Sequence, residues 1–124
     1  MSKELQARVQ KFALDCIRLA EKCPKTFAGE YISHQLLRAA SSSAANFRAA
    51  LHAQSKSSFI AKLSIVIEES DESEFWLDMT IKSEIFNNDE VNKLKIEAHE
   101  LASIFIKSRI TARNNEIRKM KDER

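Results

Sequence analysis

Glycine and proline are nearly absent: Gly29 and Pro24 are the only examples in 124 residues. Sandwiches and barrels need turn residues about every dozen positions, and dinucleotide and P-loop sites need several clustered glycines so that backbone can approach phosphate. Neither can be built from this chain. Cysteine is scarce as well. Cys16 and Cys23 stand two helical turns apart, about 10 Å in rise. That is too far for a disulfide between them and matches no zinc spacing. They read as two reduced, apolar thiols, which implies a cytoplasmic setting. No apolar run approaches the roughly 18 residues of a membrane helix, so no membrane partner is expected. The first ten residues carry charges in place of a signal peptide's apolar stretch.

What is present is helical periodicity, in a chain of the right size for one core and too small for two. The first helix is expected over about 3–22, with Val9, Phe12, Ala13, Cys16, Ile17 and Ala20 on one face. Cys23-Pro24 ends it, because the residue before proline is pushed out of the α region. A second, over about 30–53, has an apolar stripe rich in alanine and serine: Ile32, Leu36, Ala39, Ala40, Ser43, Phe47, Ala50 and Leu51. Such small residues let helix axes approach closely. The third, over about 57–86, carries Phe59, Leu63, Val66, Ser70, Ser73, Leu77 and Thr80. The fourth is expected over about 89–115, with Asp89 as its cap. Its pattern is the cleanest: Val91, Ala98, Phe105 and Ala112 recur every seven residues, as do Leu94, Leu101 and Ser108. A charged tail over 116–124 is expected to fray. Long helices joined by short loops predict an all-α, antiparallel up-down-up-down four-helix bundle occupying 1–124 as a single domain.

Ile96, Ile106, Ile110 and Ile117 lie off the fourth helix's main seam, and Phe75 and Trp76 flank Leu77. Apolar groups pointing in several directions suggest a subunit interface. Charge is segregated too. Residues 1–66 carry net +6, residues 67–90 net −8 and residues 105–124 net +4. The basic end, Lys107, Arg109, Arg113, Arg118, Lys119 and Lys121 with Arg124, has the composition of a surface that neutralises RNA or DNA phosphates without reading sequence. Complementarity to the helix dipole and salt bridges to an acidic neighbour account for the same pattern. Aromatic residues for base stacking are missing from this tail.

Chemistry is harder to find. No cofactor is indicated. His34, His52 and His99 all lack the Glu three residues earlier that a ferritin-like di-metal site requires, and Glu30 with His34 has no further ligands. Ser41, Ser42 and Ser43 have no glycine elbow or neighbouring base to make one of them a nucleophile. In mid-helix such serines bond back to the preceding turn. Arg38 and Asn46, beside the small stripe, are read as polar contacts between helices that fix register. The expectation is therefore no enzyme.

The second helix, His34-Gln35-Leu36-Leu37-Arg38-Ala39-Ala40-Ser41-Ser42-Ser43-Ala44-Ala45-Asn46-Phe47-Arg48-Ala49-Ala50, resembles a segment of the small bacterial four helix bundle proteins. These are also called 23S rRNA-intervening sequence proteins. Phe59-Ile60-Ala61-Lys62-Leu63, Glu68-Glu69-Ser70-Asp71-Glu72 and Phe75-Trp76-Leu77 extend the likeness to roughly residues 12–113. The family often has Glu-Gly after its asparagine and a glycine-containing turn beyond; Ala49-Ala50 and His52-Ala53-Gln54-Ser55 stand here instead. The resemblance implies a bundle that assembles as a ring, commonly a homopentamer. It also implies similarity to the accessory variability protein of diversity-generating retroelements, a pentamer that binds nucleic acid and a reverse transcriptase. No enzymatic activity follows from it. Two functions remain open: an oligomeric accessory protein touching RNA or DNA through its basic end, and a module holding a basic protein partner on its acidic third helix.

Overall fold

The computed structural model describes residues 3–123, which contain four helices and no strand. They are α1 (Lys3–Lys22), α2 (Phe27–Leu51), α3 (Lys56–Lys82) and α4 (Asp89–Asp122). Side-chain caps set three of the starts. Thr26 accepts from the Gly29 amide at 3.1 Å, Ser55 from Ser58 at 3.0 Å and Asn88 from Val91 at 3.0 Å, each satisfying a first-turn donor that has no partner within the helix. The helix α2 begins three residues before the expected start, because Gly29 sits inside the first turn and does not delay it. Asn88, not Asp89, caps α4. The third helix stops short of 86. Ser83 caps it, and Glu84 takes a left-handed φ of 61°, a conformation unusual for a residue with a side chain. Past the expected end near 115, α4 continues as helix to Asp122.

The apolar stripes meet in one core. Phe12 and Leu19 of α1, Leu36 and Phe47 of α2, Leu63 and Leu77 of α3, and Leu101 and Phe105 of α4 are all buried. Phe47 and Phe105 meet across it with ring centroids 5.0 Å apart. Around the core, α2 packs on α3, α3 on α4, and α1 on α2, while α1 meets α4 along the narrowest seam. That seam is laced by charge: Arg8 donates to Glu97 and Glu100 at 2.6 Å each, and Lys22 to Glu90 at 3.2 Å.

The small stripe of α2 works as its composition suggests. Ala39, Ala40, Ser43 and Ala50 are buried, and the hydroxyls of Ser43 and Ser70 hydrogen-bond across α2 and α3 at 3.0 Å. Ser73 and Thr80 donate to the carbonyls of Glu69 and Trp76, four residues back. A buried hydroxyl left without a partner would cost about 1–3 kcal/mol; these three sites are satisfied. Both cysteines are free and buried, and burial raises both thiol pKa values, with Cys16 the further shifted.

Candidate nucleic-acid interface

The acidic and basic blocks of the sequence end up in different states. Glu69, Glu72, Glu74 and Asp78 of α3 and Glu90, Glu97 and Glu100 of α4 are engaged within the chain, while Glu68 and Asp71 form no ion pair among the described residues. Arg38 reaches Glu69 at 3.1 Å and also Glu72; Asp78 receives Lys95 at 2.8 Å and Lys82 at 2.9 Å, and Glu74 meets His99 at 3.1 Å. The hydrogen bond from Arg38 holds Glu72 below its ordinary 4.5, and those from Lys95 and then Lys82 hold Asp78 below 3.8. A carboxylate with a depressed folded pKa contributes stability above its unfolded value and loses it as pH falls through the folded one. Urea midpoints are therefore expected to stay level from pH 7 to about 5 and to fall below about 4.5.

The basic end is different. Among the described residues, Lys107, Arg109, Arg113, Arg118, Lys119 and Lys121 form no ion pair; Arg124 lies outside those residues. The six divide by position. Arg109 turns inward, donating from Nη1 to Ser64 Oγ at 3.2 Å, and its Nε is buried without a hydrogen-bond partner. Lys107 lines a shallow groove of about 370 Å³ with Lys56, Phe59, Thr111 and Asn115. Arg113, Arg118, Lys119 and Lys121 stand exposed on the last turns of α4. Lys56 was not singled out from the sequence, and Phe59 was placed only in the apolar stripe of α3. They lie some fifty residues from Lys107, and only the packing of α3 on α4 brings them together.

The two residues read as interhelical contacts separate as well. Arg38 does join α2 to α3, from an exposed position. Asn46 does not: its amide donates to the carbonyl of Ser42 at 2.9 Å and to the Ser42 hydroxyl at 3.1 Å, within its own helix. The hydrogen bond between helices belongs instead to Ser43 and Ser70. Ser41 bonds back to Leu37 at 2.7 Å, as a mid-helix serine does. Among the described residues no group of three or more His, Cys, Asp or Glu is placed to hold a metal, and no helix is long and apolar enough to cross a membrane.

Four helices around one core, with Glu69, Glu72, Glu74 and Asp78 paired inside the chain and cations left open at the end of α4, define a small all-helical bundle whose distinguishing feature is its surface. The chain belongs to the 23S rRNA-intervening sequence protein family, whose sequence model matches residues 3–107. It is similar to the crystal structure of a protein of unknown function from the S23 ribosomal protein family of Bacteroides thetaiotaomicron. The two share 29% identity with a TM-score of 0.75, over 83% of this chain and 95% of that one. No curated protein matches.

Proposed function

We propose that this protein is a non-enzymatic, self-associating accessory protein of the cytoplasm that holds RNA or DNA by electrostatic contact. The observation that carries the reading is that, among the described residues, Lys107, Arg109, Arg113, Arg118, Lys119 and Lys121 have no carboxylate partner, whereas Glu69, Glu72, Glu74 and Asp78 of α3 are paired. Unpaired cations along a helix displace counterions from a phosphate backbone. Lys56 extends the cationic surface, and Phe59 in the same groove supplies a face on which a base can stack. Its subunit is an antiparallel up-down-up-down bundle. Descending α3 positions meet ascending α4 positions (Asp78 with Lys95, Glu74 with His99, Ser64 with Arg109), which supports that topology. Its assembly is a ring, commonly a pentamer in the family it resembles, and likeness to the retroelement accessory variability protein points the same way.

Fluorescence anisotropy with a short RNA and a single-stranded DNA tests the binding. Replacing Lys107, Lys119 and Lys121 together by alanine is expected to weaken binding at least tenfold at 0.1 M salt. The slope of log affinity against log salt should also shrink by about 2. Binding that keeps both its strength and its slope would refute the assignment. The competing reading, a basic protein held on α3, draws on acids of which Glu69, Glu72, Glu74 and Asp78 already have partners. A pull-down that returns a protein and withstands nuclease would favour it.

A further inference from the structure

The fourth helix has two seams. The inner one, through Val91, Leu94, Ala98, Leu101, Phe105 and Ala112, is buried in the core. The outer one runs at steps of three and four through Ile96, His99, Ile106, Ile110, Ile117 and Met120, with Ser103 and Arg113 at the two remaining positions. That spacing suits helix pairing, yet the apolar members stay open to solvent: Ile96 is 60% exposed, Ile110 53%, and Ile117 and Met120 52% each. Its second half, beyond residue 107, lies outside the family match.

Charge divides the outer seam into halves. Beside Ile96 lies an open groove of about 430 Å³ lined by Glu74 and Glu100 together with Asn92, Lys95 and His99. The pairs Asp78–Lys95, Glu74–His99 and Ser64–Arg109 set a register that brings Asp71 of α3 level with Ser103. The other half is flanked by Lys107, Arg113, Arg118 and Lys121. The positions are also symmetric about residue 108: 96 mirrors 120, 99 mirrors 117, 103 mirrors 113, and 106 mirrors 110.

We propose that the outer seam of α4 packs antiparallel against the same seam of a second copy of this chain, about a two-fold axis near residue 108. Ile106 then meets Ile110 of the second copy at the centre, His99 meets Ile117, and Ile96 meets Met120, each twice. Such an isologous contact satisfies both halves at once. Glu100, which also accepts from Arg8 of its own chain, comes beside Arg118 of the second copy, and Asp71, which has no ion pair among the described residues, answers Arg113 in the one polar layer. The two Lys107 side chains share a side of the axis, and their flexible stems carry the ammonium groups apart. An anionic lipid surface or a nucleic-acid strand would match the basic half alone and be repelled by Asp71, which has no ion pair among the described residues. Arg113 and Arg118 turn to the second copy in the pair, and the remaining cations stay open. The pairing does not depend on nucleic-acid binding or on a ring: it joins subunits two by two, and joins rings two by two where rings form.

The variant carrying Ile96→Cys and Met120→Cys provides the test. Within one α4 these positions are about 36 Å apart, so they cannot bond to each other in the same chain, and the native thiols are buried. Mild oxidation of the full chain is expected to yield linked dimers and nothing larger on a non-reducing gel. A ladder of multimers would mean head-to-tail contact and overturn the two-fold pair; unlinked chains would overturn the pairing altogether. Light scattering supplies a second reading. Ile110→Glu with Ile117→Glu, both on solvent-exposed positions, is expected to halve the assembly mass: from a double ring to a single one if rings form, and from dimer to monomer if they do not. Arg118→Glu should give the same loss, and adding Glu100→Arg should restore the mass. An unchanged mass in the isoleucine variant refutes the proposal.

Discussion

Phe105→Ala is expected to lower the unfolding free energy by roughly 3–5 kcal/mol, read as a fall in the urea midpoint with little change in slope. Phe105 is fully buried, and its ring lies 5.0 Å from that of Phe47 on the far side of the core. Truncation removes the transfer free energy of the ring and leaves a void that neighbours close only in part. Collapse is hindered because the buried residues that flank Phe47 along α2 are Ala40, Ser43 and Ala50, which have no longer rotamer to swing inward. The loss is a large fraction of the 5–15 kcal/mol available to an ordinary domain. Ile110→Ala, one helical turn and a little further along on the exposed side, is the control. In the dissociated subunit it should change stability by no more than about 0.5 kcal/mol.

Gly29→Ala is the second large effect, and its sign is the point of interest. Gly29 lies inside the first turn of α2 with no positive φ, so by helix propensity alone alanine there should stabilise by about 0.5–1 kcal/mol. Space argues the other way. A methyl group at this position would run into the carbonyl oxygen of Pro24 and lie 3.0 Å from Thr26 Oγ1, the atom that accepts the Gly29 amide. The obstacle is backbone rather than a flexible side chain, and moving it disturbs the cap and the loop that leads out of α1. Overpacking of this kind costs about 1–3 kcal/mol, so destabilisation is the expected result in urea unfolding. A higher midpoint would show that residues 23–26 yield freely and that the glycine is dispensable.

These two residues also mark what the sequence made legible. The core position of Phe105 followed from a seven-residue repeat, and most of each expected stripe is buried, although Leu19 of α1 joins the core unannounced and Ile17, Ile32, Phe59 and Ser108 are only partly covered. Periodicity is a property of many residues at once, and one misplaced residue does not hide it. Helix ends depend on single contacts. The start of α2 rests on one Thr26 hydrogen bond, and α3 ends at Lys82 through a left-handed Glu84 where neither glycine nor asparagine announces it. The basic residues of the candidate site were plain from composition, as were the exposed isoleucines. Their neighbours were not, because Lys56 and Phe59 reach Lys107 only through the packing of α3 on α4. Asn46 misled for a related reason. A polar side chain beside a small stripe has acceptors on two helices, and sequence does not rank the distances.

The length of α4 has a further consequence. Past Ala112 the helix has left the core, and its last ten residues continue a helix already nucleated by the bundle. Adding a residue to such an end changes free energy very little, since propagation constants lie close to one. The point at which α4 stops is therefore governed less by its own amino acids than by whatever surface lies alongside. Part of the free energy of any contact made there goes into holding those turns in place, which lowers affinity without lowering selectivity. The bundle would respond to a partner as a rigid body, and the end of α4 as a segment whose length is decided on contact.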